Sequence, residues 1–371
     1  MLKRISERID PRALNRATLA RQMLLERSSR TVVEVIEHLV GLQSQAPTPP
    51  YFGLWTRVEG FSAAELSDLL ARRRVVRVAL MRSTIHLVTA RDCMRLRPLI
   101  QPVLDRAFKG GFSRLLGGAP PLEVVAAGRS LLETEALTFA ELGVKLRERW
   151  PQSSVEALSH ALRAHATLVQ VPPRGLWGQS GRAAHTTAEH WLGLELEPGH
   201  GLETLVRRYL AAFGPASVRD IQMWSGLTRL APVLAGMRSR LRVFHTESGV
   251  ELFDVAKAPR PDAETPAPIR FLPEWDNLLI SYADRTRVIE ERHRAHIFTV
   301  NGIIAATVLV DGFVRATWAI RSERDVAILR VTPFEKLSKR DRDAVADEGA
   351  RLMAFAAPDA VKRRVEFVPI D

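Results

Sequence analysis

Cysteine is nearly absent from this chain, which has Cys93 alone in 371 residues. One cysteine excludes an internal disulfide and a zinc site built from cysteines. No run approaches 18 apolar residues, so the sequence predicts no membrane-spanning helix. The N-terminus is basic but lacks the apolar core of a signal peptide. These absences predict a cytoplasmic protein.

The common signatures of cofactor chemistry are also missing. The chain has no phosphate-binding loop with the G-x-x-x-x-G-K spacing and no G-x-G-x-x-G fingerprint, and it has no G-x-S-x-G elbow. His293 and His296 are three residues apart, but no acidic residue follows at the spacing of a metal site. We therefore predict neither a metal nor a cofactor.

Positive charge is in excess and unevenly spread. The net charge is +11, and residues 1–120 hold 20 lysines and arginines against 10 aspartates and glutamates. Nearly the whole excess therefore lies in the first third of the chain. A localised basic field favours a polyanionic partner, above all nucleic acid. A basic soluble protein without such a partner is the alternative.

Three successive segments share one pattern, in which helices precede a pair of extended runs. The first ends in the alternating run 75–90, and the second begins after a glycine-rich boundary near 109–121. The third ends in a hairpin with "ESG" at its turn. Ser62 and Thr138, the latter with Glu141, are predicted helix N-caps. Helices followed by a two-stranded wing are typical of the winged-helix motif.

A proline-rich linker, 256–268, separates these segments from a strand-rich end. There, Asp311–Gly312 predicts a hairpin turn, and one helix precedes the last strand. We expect an α+β protein with three tandem winged-helix motifs and a C-terminal antiparallel β-barrel, or a curled sheet with one helix packed on it. The predicted domains are 1–115, 116–198, 199–256 and 257–371.

Two places in the sequence concentrate candidate catalytic groups. Gln43 and Gln45 precede Pro47, Pro49 and Pro50. In an extended backbone residues i and i+2 point the same way, so both amides would meet one polar target, and the prolines would fix their aim. A glutamine pair is also typical of local hydrogen bonding or of a DNA contact.

The second place is "FLPEWDN", which holds Glu274 and Asp276. Alternating acids on a strand can form a general acid/base pair, although pairing with arginines is the commoner role. His86 lies on an apolar alternation and is predicted to be a core histidine.

The motifs "VGLQSQAPTPPYFGLWTRVEGF", "RSTIHLVTARDCMRLRP", "VQVPPRGLWGQSG" and "FLPEWDNLLISYADRTRVI" occur in this order. Together they resemble the winged helix DNA-binding domain-containing protein family, which includes bacterial DNA glycosylases of the AlkZ and YcaQ types. The likeness covers essentially the whole chain. It is closer to the AlkZ type, which has a Gln-x-Gln motif. The middle residue of that motif is apolar in the family and is Ser44 here.

The resemblance implies a C-shaped clamp that hydrolyses the glycosidic bond of bulky N7-alkylguanines, as in self-resistance to azinomycin-type cross-linking antibiotics. It implies that Gln43 and Gln45 are catalytic. Glu274 and Asp276, which the residue types alone suggest, are the secondary catalytic candidates. The expected partner is nucleoid DNA containing alkylated guanine, bound by a monomer. The candidate DNA contacts are arginines near the first two wings: Arg72, Arg73, Arg74, Arg77, Arg82, Arg174 and Arg182.

Two other functions fit parts of the same pattern. A non-catalytic winged-helix regulator would share the basic charge and the motif without acid/base residues. A protein that sequesters a DNA-reactive natural product is a further alternative, but no large apolar pocket is visible in the sequence.

Overall fold

The computed structural model describes residues 7–199, 201–299 and 302–369. The first group of elements begins with a short strand and contains four helices before its strand pair. Their bounds are β1 Glu7–Arg8, α1 Pro11–Arg21, α2 Val32–His38, β2 Leu42–Gln43, α3 Pro49–Trp55, α4 Ala63–Ala71, β3 Val75–Ala79 and β4 Ile85–Thr89. The pair β3 and β4 confirms the strands predicted over 75–90. Ser62 is the predicted N-cap of α4, since its side chain accepts from the Glu65 amide.

The second group opens with a 22-residue helix that sequence reasoning missed. Its bounds are α5 Ala90–Gly111, α6 Pro121–Thr134, α7 Phe139–Arg147, α8 Val155–His165, β5 Leu168–Gln170 and β6 His185–Thr187. Helix α5 contains Pro98 and Pro102, residues that ordinarily end a helix, which explains why the pattern was not recognised. The capping box of Thr138 and Glu141 at α7 is confirmed.

The third group repeats the order of helices before strands. Its bounds are α9 Ala188–Leu192, α10 Leu202–Phe213, α11 Val218–Ser225, α12 Ala231–Met237, β7 Leu241–His245 and β8 Glu251–Val255. Strands β7 and β8 form the predicted antiparallel hairpin, and β1 adds to β7 in parallel. The helix-then-strand order is therefore present three times, while the assignment to winged-helix motifs stays a prediction.

The C-terminal group is one five-stranded sheet with a helix. Its bounds are β9 Arg270–Leu272, α13 Asn277–Ile280, α14 Arg294–Ile297, β10 Thr307–Val310, β11 Phe313–Glu323, β12 Val326–Pro333, α15 Lys339–Ala356 and β13 Lys362–Phe367. Asp311 and Gly312 form the predicted turn between β10 and β11, both with positive φ.

The expected antiparallel barrel is not what the described residues form. Their strand order, β13-β12-β11-β10-β9, is open, and β13 pairs with β12 in parallel. The reason for the parallel pairing is helix α15, which connects the end of β12 to the start of β13 along the chain. A crossover of that length returns the chain in its original direction, so the following strand runs parallel.

The strand pairs of the first two groups are not separate wings. They join in one sheet of order β2-β4-β3-β5-β6, in which β3 pairs with β5. The short strand β2, which carries Gln43, lies at one edge. The glutamine motif is thereby built on a sheet to which both groups contribute.

The hydrophobic cores cross the predicted domain boundaries. One buried cluster joins apolar residues of β3, β4 and α5 to α10, α11 and the β7–β8 hairpin. Another joins α2, α3 and α4 to the C-terminal sheet and α15. Among the described residues, the core of α6, α7 and α8 is the one that is largely confined to a single group. The domain boundaries themselves stay a prediction.

The basic surplus of the first third is not entirely a surface field. Five of its arginines are buried: Arg16, Arg21, Arg57, Arg77 and Arg97. Burying a cation is costly unless it is paired or fully hydrogen-bonded. Arg16, Arg21 and Arg57 contact aspartates of the third and C-terminal groups, so part of the positive charge connects the groups to one another.

No helix in the described part of the chain is both long and apolar enough to cross a membrane.

The ion pair of Arg21 and Asp254 tests this view of the buried arginines. Both side chains are fully buried, and Arg260 contacts the same carboxylate. We expect Asp254→Asn to lower the free energy of unfolding by about 3 kcal/mol, because the buried Arg21 and the partly buried Arg260 lose their counter-charge. Urea denaturation measures the change. The control is Asp68→Asn at the exposed pair with Arg72, where we expect less than about 1 kcal/mol. Equal losses at both sites would contradict the account.

Candidate active site

The glutamine motif is held in place by pairing between β2 and β4, in which Gln43 lies opposite His86. Gly41, two residues earlier, has φ +94°, and a Cβ there would lie 2.6 Å from Cγ1 of Val88. Only glycine therefore allows the chain to approach β4 this closely. The Asn277 side chain adds a hydrogen bond of 2.8 Å to the Gly41 carbonyl. Thus "LQSQ" and "FLPEWDN" are neighbours in the structure.

Gln43 is almost entirely buried, at 8% exposure, and its amide is held by Arg82. A guanidinium only donates, so the atom facing it is Oε1, which accepts from Nη2 of Arg82 at 2.7 Å. The Thr84 hydroxyl also approaches this oxygen, at 3.5 Å. Burial lowers the pKa of Arg82 to about 10, so it is still a cation near neutral pH.

Gln45 is exposed, but its amide is oriented by the same hairpin. Its Oε1 accepts from the backbone N–H of Ile85 at 3.2 Å. The structure therefore brings the two predicted glutamines together at one end of β4. Each amide oxygen has two lone pairs and retains accepting capacity. Among the described residues neither Nε2 group donates a hydrogen bond to the protein.

The turn that carries Arg82 is strained and clamped. Arg82 and Ser83 both have positive φ, at 55° and 59°. Such values are uncommon for residues other than glycine and persist where the surroundings impose them. Arg82 donates to the Trp224 carbonyl in α11, and Arg163 in α8 donates to Ser83. Helices of the second and third groups thus aim Arg82 at Gln43.

Helix α3 follows the glutamine motif, and the role of the prolines in aiming the amides stays a prediction. Helix α3 begins at Pro49, where a proline costs no helical hydrogen bond. The helix is anchored by the Tyr51 hydroxyl, which donates to the Gly175 carbonyl at 2.7 Å. Phe52 contacts the rings of Trp177 and Phe355, the latter in α15.

The two acids do not form a pair on a strand. Trp275 between them has φ +52°, which turns the chain after β9. Asp276 is buried, accepts from both Nη atoms of Arg57 and caps α13. It is therefore a structural residue. Glu274 is exposed as a residue, yet its carboxyl is partly shielded, and this burial raises its pKa.

One of the seven arginines predicted to contact DNA is buried in the sheet. Arg77 is 1% exposed and donates to Ser44, so it cannot reach a phosphate. Arg82 is half-buried, donates to Gln43 and lines a cleft described below. Arg174 is half-buried and donates to the Gly181 carbonyl.

The remaining four arginines are exposed. Arg72 pairs with Asp68, and Arg182 pairs with Glu141. Arg73 lies over the Trp191 ring at 3.8 Å. Arg74 makes no side-chain hydrogen bond or ion pair within the described residues.

His86 is a core histidine, as predicted. It is 2% exposed, and its Nδ1 lies 3.0 Å from the Thr84 carbonyl. His293 contacts Glu335, but no group of three potential metal ligands occurs in the part of the chain that the structure describes.

A cleft of about 550 Å³ opens beside Arg82, between α5 and α11. Its floor is largely apolar and includes Met223, which is exposed. Arg106 and Arg219 line it as well, and no acidic side chain does so among the described residues. The cleft is therefore positively charged, and it is connected to Gln43 through Arg82, which lines the cleft and donates to the Gln43 amide.

Sequence reasoning missed the side chains that hold the glutamine motif and the residues next to it. Arg82 was recognised only as a basic residue near a wing, and Asn277 was not singled out. The local signal for Arg77 was a lone arginine among valines in "VVRVAL", a pattern typical of a buried strand. No local signal identifies Asn277, because its partner Gly41 is 236 residues away.

A family model described as "DNA glycosylase AlkZ-like" matches residues 36–355. A curated relative, the interstrand DNA cross-link repair glycosylase of Streptomyces sahachiroi, is 23% identical over 359 residues, which cover 90% of this chain and 93% of the relative. A solved structure, the DNA glycosylase AlkZ of Streptomyces sahachiroi, has a TM-score of 0.79 and 22% identity. The structural match covers 97% of this chain and 100% of the chain in that structure. That likeness shows the same fold.

Burial of His86 makes the stability dependent on pH. Burial lowers the pKa of His86 from 6.5 to about 3, so the unfolded chain binds a proton there below pH 6.5 while the folded chain does not. Stability due to this group is complete above pH 6.5 and falls by about 1.4 kcal/mol per pH unit as the pH drops towards 3. We expect a shallower decline between pH 6.5 and 5 in His86→Gln, measured by urea denaturation. His190→Gln, at an exposed histidine, is the control and should keep the parental slope. An unchanged slope in His86→Gln would contradict a neutral buried imidazole.

Proposed function

Because the chain belongs to the AlkZ-like family of DNA glycosylases, we propose that it hydrolyses the N-glycosidic bond of cationic N7-alkylguanines in duplex DNA. The observation that supports this substrate class is the chemistry of the site. Its central groups are two amides, Gln43 and Gln45, held by hydrogen bonds and flanked by no acid/base pair. A site of this kind suits a base that needs little help to leave.

Alkylation at N7 of guanine places a positive charge on the base. The base then departs as a neutral molecule, so no general acid has to protonate it. What remains for the protein is to hold a water beside C1′ and to stabilise the cationic sugar that forms. Positioning and fixed dipoles can supply both effects.

The two glutamines fit these roles through their remaining acceptor capacity. One lone pair of Gln43 Oε1 accepts from Arg82, and one of Gln45 Oε1 accepts from the Ile85 amide. The Thr84 hydroxyl has a single proton, which it can donate to the Met81 carbonyl at 3.1 Å instead of to Gln43 Oε1 at 3.5 Å. The second lone pair of each amide oxygen is then available to a water or to the cationic sugar. Because both oxygens are held before substrate arrives, little reorganisation is needed in the transition state.

We propose further that the enzyme is monofunctional, with water rather than a protein amine as the nucleophile. Neither glutamine contacts a lysine among the described residues, and the buried neighbour of Gln43 on β4 is His86. The low pKa of that imidazole, about 3, keeps it neutral but leaves it a very weak base. Glu274, exposed and with a raised pKa, remains the secondary catalytic candidate.

The DNA duplex is proposed to lie along the cleft between α5 and α11. Arg106 and Arg219 would meet phosphates there, since a cationic cleft without acids favours the polyanion. The exposed Arg72, Arg73, Arg74 and Arg182 keep their proposed role as backbone contacts. The relative from Streptomyces sahachiroi is named for interstrand cross-link repair, so we include cross-linked guanines among the proposed substrates.

The test is excision from duplex DNA that carries one 7-methylguanine or a bulkier N7-guanine adduct. We expect abasic sites with the wild type. Gln43→Ala and Gln45→Ala should each reduce the single-turnover rate roughly a hundredfold, as loss of one positioned polar group does elsewhere. Duplex affinity should stay within about twofold, because the amides act on the transition state.

The matched control is Gln152→Ala, an exposed glutamine outside the site, which should excise at the wild-type rate. Undiminished activity in a Gln43→Ala/Gln45→Ala double variant would show that other residues carry out the reaction. If no cationic N7 adduct yields abasic sites with the wild type, the proposed substrate class is wrong.

A further inference from the structure

We propose that Ser44 and Arg77 form a buried pair that positions both glutamines. Ser44 stands between them, where the resemblance predicts an apolar residue. The inference rests on the proposed function, in which Gln43 and Gln45 act on the reacting atoms. Ser44 and Arg77 are positioning residues, since they act through the glutamines and do not touch DNA.

Arg77 lies on β3, between β4 and β5, and is 1% exposed. Its Nε donates to the Ser44 hydroxyl at 3.0 Å, and its Nη2 donates to the Ser44 carbonyl at 2.7 Å. A planar guanidinium that grips two oxygens of one residue fixes that residue in orientation as well as in distance.

Ser44 is the principal acceptor for this buried cation. Among the described residues Arg77 makes no ion pair, and its Nη1 is buried without a partner. Burial lowers the pKa of Arg77 to about 10, with a smaller contribution from Arg174. A buried cation without a counter-charge is costly, so its two bonds to Ser44 are difficult to give up.

The side chain of Arg77 has little room to move away. Gly175, at φ +103°, lies against it, and a Cβ there would be 3.1 Å from Cδ of Arg77. The Gly175 carbonyl is in turn held by the Tyr51 hydroxyl. Arg77 is therefore a rigid anchor beneath the motif.

Ser44 transmits this anchoring to both neighbours in the chain. Its own N–H donates to the Ile85 carbonyl at 2.8 Å, so hydrogen bonds hold its N–H, its carbonyl and its hydroxyl. The Ile85 N–H, on the same residue, holds the Gln45 amide. A shift at Ser44 would move Gln43 on one side and Gln45 on the other. Since rates respond strongly to displacements of about 1 Å, this anchor should matter to catalysis.

The test compares Ser44→Ala, Arg77→Met and the double variant in single-turnover excision of 7-methylguanine. We expect each single variant to lose roughly tenfold in rate, with duplex affinity within about twofold. Ser44→Ala removes the bond to the hydroxyl and keeps the bond to the backbone carbonyl, whereas Arg77→Met removes both. The double variant should therefore be about as slow as Arg77→Met. Ser44→Thr, which keeps the hydroxyl, should restore most of the rate.

Arg97→Met is the matched control for the loss of a buried arginine. Arg97 is also buried, has a pKa lowered by burial to about 10, and donates to the backbone carbonyl of Ala164. We expect it to lower the thermal midpoint as Arg77→Met does but to leave the excision rate per folded molecule unchanged. If Arg97→Met lost as much rate as Arg77→Met, the slow excision by Arg77→Met would be explained by loss of stability alone. That result would overturn the proposal.

A second measurement is independent of activity. In protein labelled with ¹⁵N-glutamine, the side-chain amide signals of Gln43 and Gln45 should shift in Ser44→Ala and in Arg77→Met, but not in Arg97→Met. Unmoved signals, or a wild-type excision rate in Ser44→Ala, would overturn the positioning role. Failure of the wild type to excise any cationic adduct would instead overturn the proposed function, while the amide signals would still decide whether Ser44 and Arg77 position the glutamines.

Discussion

The candidate site depends on the antiparallel pairing of the short strand β2 with β4. That pairing sets Gln43 opposite His86 and brings Gln45 within reach of the Ile85 amide. Helices of the second and third groups hold the turn between β3 and β4, and helices of the C-terminal group contact the motif and α3. An amide does not titrate near neutral pH, so no pKa shift can make it a better catalyst. Its contribution to catalysis depends on how firmly it is held in position. Under the proposed function, the weak reactivity of two glutamines matches a substrate whose charged base leaves with little help.

Much of the fold could be predicted because its signals are local. The caps of α4 and α7 and the Asp311–Gly312 turn follow from residues a few positions apart. Helix α5 was missed because two prolines interrupt its pattern, and the barrel was wrong because the direction of β13 depends on the crossover through α15. The merging of two strand pairs in one sheet is a pairing between distant segments that no local pattern specifies.

The catalytic candidates were accessible to sequence reasoning, but their support was not. Gln43 and Gln45 stand out as a pair followed by prolines. Their holding groups come from elsewhere in the chain, and charge alone suggested that Arg77 and Arg82 lie on the surface. The structure gives these arginines internal acceptors instead. Composition counts cations but does not show which ones are buried.

The most direct test of the central claim is the pH dependence of single-turnover excision of 7-methylguanine between pH 5.5 and 8.5. The account predicts a rate that is nearly independent of pH, because amides do not titrate and the cationic base needs no proton. Duplex DNA carrying uracil, a neutral base, should be cleaved at a far lower rate throughout. A bell-shaped or sigmoidal profile that Glu274→Gln abolishes would contradict the account, since it would show that an ionisable side chain, and not the amide pair, carries the chemistry.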